Sequence, residues 1–483
     1  MHMEKKSQYI SGQHTEATSG ECFISYNPAN GEAIAEIGQA SASDVEAAIE
    51  SAQRGFQVWS AMTPVERSRI LLKAVEILRA RNDELAKLEV LDTGKPLQEA
   101  TEVDIVTGAD VIEYFAGLAP AMQGEQQPLS ENQFFYTRRE PLGICAGIGA
   151  WNYPIQIAMW KSGPALAAGN ALIFKPSEET PATATLLGEV MNECGVPAGV
   201  YNVVHGFGGD SAGAFLTAHK DVDAITFTGE TKTGEVIMRA ASVGLRNISM
   251  ECGGKNPGIV FADCDMDKAI EGTMRSAFVN CGQVCLGTER VYVERPIFEE
   301  FVQRLKEGAE KLKMGRPEDN SVDFGPLVSQ EHKEKVLSYY RLAVEEGATV
   351  VTGGGIPEMG ADLNAGAWVE PTIWTGLADD SRTVTEEIFG PCCHIRPFDT
   401  EEEVIELANN TEYGLAATVW TENTSRATRV AESMDVGLVW VNSWFLRDLR
   451  TAFGGAKQSG IGREGGIHGL EFYTELKNVC IKL

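Results

Sequence analysis

Three short segments of this 483-residue chain carry side chains suited to covalent chemistry on a carbonyl group. Cys285 lies in the glycine-rich segment GQVCLG, Glu251 precedes Cys252 and two glycines, and Asn152 lies in the segment WNYP. A thiolate is a nucleophile, a carboxylate can activate water as a general base, and a side-chain amide can donate a hydrogen bond to an oxyanion. Together the three side chains indicate a reaction that passes through an acyl group on the thiol.

Each of these motifs has a plainer interpretation when it is taken alone. A cysteine is usually a small buried hydrophobic residue, and an asparagine before an aromatic residue is usually part of a turn. The occurrence of all three, in this order and at these separations, resembles the NAD(P)-dependent aldehyde dehydrogenase superfamily over nearly the whole chain. The resemblance implies an α/β fold of the aldehyde dehydrogenase type, with two α/β domains, parallel-type sheets and a small β unit that bridges subunits.

The composition agrees with a large globular protein that does not bind nucleic acid. Hydrophobic residues make up 43% of the chain, and the length predicts about two to four domains at roughly 100–200 residues each. The formal net charge of −28 argues against a phosphate-binding surface, which needs clustered Lys and Arg. The ten cysteines include no C-x-x-C pair, so we expect free thiols, no bound metal and a cytoplasmic location.

One uncharged segment, residues 141–160, is as long as a membrane span. Its glycines and the residues Asn152, Pro154 and Gln156 would face lipid poorly. We therefore expect a buried strand, a catalytic loop and the beginning of a helix there, and no membrane association. Residues 1–6 lack the apolar core of a secretion signal.

Local sequence signals predict the order of helices and strands. Thr63 and Glu66 form a capping box with Pro64 at the first helical position. A second helix is expected from Pro181 to about residue 193, ending at Gly195. Short apolar runs separated by helical segments indicate a parallel sheet with crossover helices, and these runs are 171–174, 200–204, 224–227 and 258–261. A similar alternation from residue 291 to about 442 indicates a second α/β unit.

The family resemblance implies domain boundaries that the periodic patterns do not give. The implied NAD-binding domain comprises residues 1–123, 140–251 and 454–470. The catalytic domain would be residues 252–453, and the oligomerisation strands would be residues 124–139 and 471–483. Because an unpaired hydrophobic edge strand tends to aggregate, we expect these strands to pair across subunits in a homodimer or a homotetramer. The alternative is an ordinary surface hairpin.

The cofactor-binding residues rest on the resemblance, since no G-x-G-x-x-G fingerprint follows a strand. Lys175 and Glu178 resemble the adenosine-ribose site of the family, where a carboxylate also disfavours a 2′-phosphate, so the prediction is NAD with weaker binding of NADP. Glu230 departs from the family pattern, in which a serine is common, and its carboxylate would repel a phosphate unless it points away. The implied set is Trp151, Lys175, Ser177, Glu178, Phe227, Gly229, Glu230, Gly234, Glu387 and Phe389.

The resemblance also implies the role of each catalytic residue. Cys285 would attack the aldehyde carbon, and the Asn152 amide with the backbone N–H of Cys285 would stabilise the oxyanion. After oxidation, Glu251 would activate the water that hydrolyses the thioester. Glu464 resembles a second acid that relays the proton outward, and a structural salt bridge is the alternative.

Two parts of the chain point to different substrates. Residues before about 170 resemble betaine aldehyde dehydrogenases, and residues after about 175 resemble 2-hydroxymuconic semialdehyde dehydrogenases, as a natural mosaic or an engineered hybrid would. A quaternary ammonium needs an aromatic cage, but Val279 stands where many betaine enzymes carry a Trp. The implied substrate-binding residues are Tyr153, Trp160, Val284, Arg447, Arg450 and Phe453.

The two arginines of this set favour an anionic substrate. Arg447 and Arg450 would attract a carboxylate and repel a quaternary ammonium, which favours a small carboxylated aldehyde such as 2-hydroxymuconic semialdehyde. Residues 104–107 contain no Arg, although muconic-semialdehyde enzymes are expected to carry one there, so betaine aldehyde or a broad aldehyde range stays an alternative. The complete catalytic set disfavours a non-catalytic structural relative, and Glu251 disfavours transfer of the acyl group to coenzyme A.

Overall fold

A computed structural model describes residues 4–483 of the chain. Its strands are β1 (Glu4–Lys6), β2 (Gln8–Ile10), β3 (Gln13–Thr15), β4 (Cys22–Tyr26), β5 (Ala33–Gly38), β6 (Gln126–Ser130), β7 (Gln133–Pro141), β8 (Ile144–Ile148), β9 (Ala171–Lys175), β10 (Tyr201–Val203), β11 (Ala224–Thr228), β12 (Asn247–Glu251), β13 (Asn256–Val260), β14 (Thr288–Glu294), β15 (Thr349–Thr352), β16 (Thr372–Thr375), β17 (Cys392–Phe398), β18 (Tyr413–Gly414), β19 (Ala416–Trp420), β20 (Leu438–Val441), β21 (Ala456–Lys457), β22 (Gly460–Ile461) and β23 (Thr474–Lys482).

The α-helices are α1 (Ala42–Ser60), α2 (Pro64–Ala80), α3 (Asn82–Thr93), α4 (Leu97–Glu99), α5 (Ile105–Leu118), α6 (Pro154–Ala168), α7 (Ala182–Cys194), α8 (Ala212–Ala218), α9 (Thr231–Ser242), α10 (Met266–Phe278), α11 (Phe298–Ala309), α12 (Gln330–Glu345), α13 (Arg382–Thr385), α14 (Glu401–Asn409), α15 (Thr424–Glu432) and α16 (Gly466–Phe472). A π-helical turn, Ala100–Asp104, precedes α5, and 3₁₀ turns occupy Ala119–Ala121, Val279–Gly282 and Arg295–Ile297.

The first large sheet has eight strands in the order β22-β12-β11-β8-β9-β10-β2-β3. Its five central strands, β8 to β12, run parallel, and α6, α7, α8 and α9 connect them in turn. Successive residues alternate between the two faces, so that Leu172 packs on one side of the sheet and Ile173 on the other. The predicted parallel sheet with crossover helices is confirmed for the runs 171–174, 200–204 and 224–227, but the run 258–261 was wrongly placed in it, because this run falls in β13 of the second sheet.

The second large sheet has seven strands in the order β15-β16-β17-β14-β13-β19-β20. All neighbouring strands are parallel except β15, which is antiparallel at the edge. Its core contains the buried side chains of Val291, Val293, Ile373 and Ile395. The second α/β unit that the sequence predicts is therefore present, between residues 256 and 441.

A third sheet combines the C-terminal strand with the hairpin near residue 130. β7 pairs antiparallel with β6 on one side and with β23 on the other, from Thr474 opposite Pro141 to Lys482 opposite Gln133. The expectation that both segments form one small β unit is confirmed. Their pairing across subunits stays a prediction, as do the domain boundaries.

The local sequence signals for helices and strands are also confirmed. The Thr63–Glu66 capping box is formed, and α7 ends at Gly195 in the left-handed conformation with φ of 102°. Residues 141–160 form the end of β7, the buried strand β8, a loop and the first half of α6. Within residues 4–483, no helix is both long and apolar enough to cross a membrane.

Candidate active site

Of the principal site residues predicted from the sequence, Asn152, Glu251 and Glu464 lie on segments of the first sheet, and Cys285 lies on a loop that leads into the second sheet. Asn152 lies in the loop between β8 and α6, and Glu251 is the last residue of β12. Cys285 lies between the 3₁₀ turn Val279–Gly282 and β14, and Glu464 follows β22. Because β8 and β12 are parallel members of one sheet, their carboxyl ends open on the same edge, which is where ligands bind in α/β folds.

The backbone around Cys285 is held by specific contacts. The side-chain amide of Asn256 donates hydrogen bonds to Cys285 O at 2.7 Å and to Gly287 O at 2.8 Å. Gly282 has φ of 69°, and a side chain there would lie 2.1 Å from the carbonyl oxygen of Gly390. The loop therefore requires glycine at this position, and its close fit against residue 390 fixes where the thiol lies.

The surroundings of the Cys285 thiol favour its protonated form. Burial, with the nearby carboxylates of Glu251 and Glu387, raises its pKa to about 12, although the backbone N–H groups of Leu286 and Cys285 itself oppose the rise. The thiolate is the reactive form of cysteine. Activation therefore needs either a positive charge beside the sulfur or a base that accepts its proton.

The Asn152 side chain is buried and turned toward the segment that carries the thiol. Its Nδ2 donates a hydrogen bond to Gln283 O at 3.0 Å, two residues before Cys285. An asparagine amide has two N–H donors, so one remains for a second acceptor. An oxyanion that forms on a carbon bonded to Cys285 would be such an acceptor.

Glu251 is a buried carboxylate without a fixed partner. Neither of its oxygens has a hydrogen bond to any residue between 4 and 483. Burial, and after it the neighbouring Glu464, raises the pKa of Glu251 well above its usual range, while Lys161 and Arg463 act in the opposite direction. A carboxylate with a raised pKa and free oxygens is suited to accept a proton from water.

Glu464 forms the ion pair that was the alternative to a proton relay. Its Oε1 lies 2.5 Å from Lys161 Nζ and accepts a longer hydrogen bond from Thr226 Oγ1 at 3.3 Å. Lys161 is buried on α6, and its ammonium lies near both Glu464 and Glu251. A proton relay through Glu464 stays a prediction, and Lys161 is a member of this group that sequence reasoning missed.

The predicted ribose-binding pair is formed at the end of β9. Lys175 Nζ lies 3.1 Å from Glu178 Oε2 and donates to Pro176 O at 2.9 Å. Burial lowers the pKa of Lys175, and Glu178 opposes that change. Ser177, which lies between them in the sequence, is buried. The Glu178 side chain keeps 35% of its surface exposed, so its carboxylate can accept a hydrogen bond from a ligand.

The predicted pyrophosphate turn lies between β11 and α9. Gly229 N donates to Glu251 O at 3.0 Å, and a side chain at Gly229 would lie 2.5 Å from the buried ring of Phe227. Gly234 is buried against Phe227 and Cys252 in the first turn of α9. Glu230 precedes α9 with an exposed side chain that makes no capping hydrogen bond, so the N-terminal amides of the helix stay open to an anion.

Glu387 lies near the thiol, and Phe389 contacts Trp151. Glu387 Oε1 accepts from Gly254 N at 2.7 Å, and burial with the neighbouring Glu289 raises the pKa of Glu387 to about 7. Phe389 has φ of 61° and its ring centroid lies 5.2 Å from that of Trp151 in an edge-to-face contact. This strained residue is held by its environment, since its backbone N–H donates to the Glu289 carboxylate.

An apolar wall surrounds the thiol on the substrate side. Cys285, Tyr153 and Phe453 pack against a buried cluster that includes Val284 and Trp444. Tyr153 also donates a hydrogen bond from its hydroxyl to Glu99 at 2.7 Å. Such a wall suits the carbon skeleton of an aldehyde, because a pocket lined by aromatic and aliphatic side chains excludes water.

Arg447 lies farther along the same wall. The ring centroids of Phe453 and Trp160 are 5.7 Å apart, and the Arg447 guanidinium carbon lies 6.0 Å from the Trp160 ring. Its Nη2 donates to Thr107 O at 2.8 Å, and its Nη1 lies 3.7 Å from Asp110 Oδ2. Apolar contacts therefore lead from Cys285 through the rings of Phe453 and Trp160 to Arg447. The Arg447 side chain is half-buried, so its positive charge is partly shielded from solvent.

Arg450 has different surroundings. Its side chain is 79% exposed, and its guanidinium makes a close ion pair with Asp448, at 2.6 Å between Nη2 and Oδ2. This pair neutralises much of the charge that Arg450 offers to a substrate. The sequence predicts this contact, because only one residue lies between Asp448 and Arg450.

The fold and the comparisons with known proteins define a class of enzyme, namely an oxidoreductase that acts on aldehydes. The chain belongs to the aldehyde dehydrogenase family, whose profile matches residues 14–479. It is 61% identical to 2-hydroxymuconic semialdehyde dehydrogenase from Pseudomonas sp. (strain CF600), over 100% of both chains. It is 52% identical to betaine aldehyde dehydrogenase from Vibrio vulnificus, over 100% of this chain and 98% of that one.

Solved structures agree with this assignment. A NAD⁺ complex of an aldehyde dehydrogenase from Bacillus cereus superposes with a TM-score of 0.96 at 39% identity, covering 99% of this chain and 97% of that one. The protein is thus an enzyme of the aldehyde dehydrogenase family that acts on small aldehydes, with the fold that the sequence predicts. The hybrid origin stays a prediction, since both subclasses of relative match along the full length.

Proposed function

We propose that this protein oxidises a carboxylated semialdehyde, such as 2-hydroxymuconic semialdehyde, to the corresponding acid with NAD as cofactor. The observation that carries the substrate proposal is the half-buried Arg447 at the far end of the apolar wall that begins at Cys285. The names of the muconic relatives agree with it.

In the proposed mechanism, Cys285 supplies the bond to the substrate. The Cys285 thiol gives up its proton to water, and the thiolate attacks the aldehyde carbon to form a thiohemiacetal, whose oxyanion is stabilised by the free N–H of the Asn152 amide together with the Cys285 backbone N–H. The chemistry that NAD supplies is acceptance of the hydride from the thiohemiacetal carbon, and its positive ring favours the thiolate. Glu251 then takes a proton from water, which attacks the resulting thioester and releases the acid. Before this step Lys161 balances the charge of ionised Glu464, which then accepts the proton from Glu251.

The residues predicted to bind NAD form a donor and acceptor set that fits a dinucleotide. The Lys175–Glu178 pair offers both a donor and an acceptor to ribose hydroxyls, and Glu387 offers an acceptor beside the thiol. The open N-terminus of α9 offers backbone amides to a pyrophosphate. NAD complexes of relatives with the same fold support this choice of cofactor.

Cofactor preference tests the role of Glu178. We expect the protein to bind NAD at least about tenfold more tightly than NADP, because the carboxylate would repel a 2′-phosphate. Glu178→Gln should bring the two dissociation constants closer together, as measured by quenching of protein fluorescence. The matched control is Glu189→Gln, which removes one exposed carboxylate from α7 and should leave the ratio unchanged. Tighter binding of NADP by the unmodified protein would contradict the role.

Arg447 tests the class of substrate. Charge-assisted pairs that are largely shielded from solvent contribute roughly 1.5–3 kcal/mol, so Arg447→Ala should raise KM for a carboxylated semialdehyde by about one to two powers of ten. KM for a neutral aldehyde of similar size should change little. Arg450→Ala is the comparison variant, and its smaller expected effect follows from the ion pair with Asp448. Equal losses on neutral and anionic substrates after Arg447→Ala would show that Arg447 has no role in charge recognition.

The alternative substrates are separated by one assay. NADH formation would be followed with a carboxylated semialdehyde, betaine aldehyde and neutral aldehydes, each with and without coenzyme A. Arg447 beside Trp160 disfavours betaine aldehyde, because a guanidinium repels a quaternary ammonium at an aromatic wall. A better rate with betaine aldehyde would favour that alternative, and a requirement for coenzyme A would favour the acylating one.

We also propose that the enzyme is a cytoplasmic homodimer or homotetramer. The ten cysteines are all free thiols, as a reducing compartment maintains them. The small sheet of β6, β7 and β23 has mostly exposed side chains and unpaired edges at β6 and β23, which a second subunit could extend.

A further inference from the structure

A fully buried lysine contacts the backbone of the segment that carries Asn152. Lys95 lies in the loop between α3 and α4, and its side chain has no exposed surface. Its Nζ lies 2.5 Å from Asp104 Oδ2 and donates a hydrogen bond to Asn152 O at 2.8 Å. The same ammonium lies 3.9 Å from the centroid of the Tyr153 ring.

Other side chains from the same region fix the neighbouring atoms. Asn280 Nδ2 donates a second hydrogen bond to Asn152 O at 3.0 Å. Glu89 Oε1 accepts from the backbone N–H of Ile155 at 3.2 Å, at the beginning of α6. Glu99 accepts from the Tyr153 hydroxyl at 2.7 Å and from Asn280 N at 3.2 Å, and so links the two loops of the site.

A buried charge in this place is not explained by stability. Taking an ammonium and a carboxylate out of water costs several kcal/mol per ion before their attraction is counted, and apolar replacements of such pairs are often neutral or stabilising. What an apolar side chain cannot supply is a donor that holds Asn152 O from the interior. Fixing that carbonyl fixes the peptide that follows Asn152 and so restrains the backbone from which the side chain projects, while the hydrogen bond to Gln283 O orients the amide itself.

We propose that Lys95 is a positioning residue for the oxyanion donor, acting on catalysis through Asn152 by means of its ammonium on the Asn152 carbonyl. This inference rests on the proposed role of Asn152. Lys95 does not touch the substrate in this arrangement, since its three donors are directed at Asp104, the Asn152 carbonyl and the Tyr153 ring.

A double-mutant cycle in kcat tests the inference. Asn152→Ala alone should lower kcat by about 10²–10³-fold, since it removes one oxyanion donor. Lys95→Met alone should lower kcat by about 10–100-fold, as misplacement of a catalytic group by about 1 Å does, with the dissociation constant of NAD unchanged within about twofold. In the Asn152→Ala background, Lys95→Met should lower kcat by less than about threefold, because there is no amide left to misplace.

The matched control is a buried cation at the opposite end of α6. Arg67 donates to Ala167 O at 3.2 Å, and Arg67→Met should lower the melting temperature while leaving kcat within about threefold of the unmodified enzyme. If Lys95→Met fails to fold, the neutral pair Lys95→Gln with Asp104→Asn takes its place in the cycle.

The outcomes separate the two proposals. A loss of rate that is equally large in the presence and absence of Asn152 would overturn the inference about Lys95, as would full activity of Lys95→Met. If Asn152→Ala itself leaves kcat unchanged, the oxyanion role in the proposed function is wrong, and the inference falls with it. Non-additive losses confined to kcat support both.

Discussion

Cys285→Ala is expected to reduce NAD-dependent aldehyde oxidation by at least about 10⁴-fold, because loss of a nucleophile removes the covalent route altogether. The dissociation constant of NAD should stay within about twofold, since the thiol forms the bond to the substrate and does not hold the cofactor. Steady-state NADH formation measures the first quantity, and calorimetric titration measures the second.

Cys281→Ala is the matched control for this variant. Cys281 lies four positions earlier in the same loop, but it is buried in the core of the second sheet, and burial raises its pKa well above the usual range. It should therefore retain turnover. Substantial NADH formation by Cys285→Ala, or a comparable loss in Cys281→Ala, would show that the nucleophile has been misassigned.

Glu251→Gln is expected to allow the first oxidation and to stall afterwards. The amide has nearly the same shape but cannot accept a proton from water, so the thioester on Cys285 should persist. A rapid-mixing experiment should record a burst of about one NADH per active site followed by very slow turnover. Mass spectrometry of the quenched protein should find the acyl group on the peptide that contains Cys285.

Glu464→Gln provides the comparison for the base. Glu464 is paired with Lys161 and lies near Glu251. Loss of Glu464 should therefore slow turnover less than loss of Glu251. The rapid-mixing experiment should then record no full burst of NADH before steady-state turnover. Unimpaired steady-state turnover by Glu251→Gln would remove that residue from deacylation. A larger effect of Glu464→Gln would exchange the two assignments.

Most of the fold could be predicted from the sequence, because the signals for its helices and strands are local. The capping box at Thr63, the glycine at 195 and the apolar runs of β9 and β11 depend on residues that are neighbours in the sequence. Strand ends shifted by one or two residues, as in β13, which begins at Asn256 and ends at Val260. The arrangement of the two sheets agreed with the rule that strands alternating with helices form parallel sheets.

The site was readable only where its residues stand in glycine-rich or aromatic motifs. Lys161 and Glu464 are separated by 303 positions, and nothing in either neighbourhood signals the ion pair between them. The same holds for Lys95, whose contact with Asn152 crosses 57 positions. Charges that a fold brings together over such separations have no local pattern, so they required the structure.

The part of the site near Arg447 contains one feature that the sequence shows and one that only the structure shows. The absence of an arginine from residues 104–107 was visible in the sequence, and the structure adds that Thr107 O now accepts a hydrogen bond from Arg447. The nearby Asp110, which also pairs with Arg79 at 2.9 Å, was not foreseen as a competitor for the Arg447 charge. In the proposed recognition of an anionic substrate, Arg447 would have to exchange part of its attraction to Asp110 for the substrate carboxylate.

The outer neighbour of β12, the strand that ends at Glu251, comes from the last part of the chain. β12 pairs with β22, with Glu251 opposite Gly460, and Cys252 N donates to Ser459 O at 2.9 Å. On the ribosome, β12 is therefore complete long before its edge is covered, and the whole second sheet is synthesised in the interval. While residues 252–459 are synthesised, the nascent chain carries an open edge at β12, and an open strand edge favours aggregation. Glu251 therefore reaches its final surroundings only when residues 459–461 have been synthesised, and chains truncated before that point are expected to lack aldehyde dehydrogenase activity.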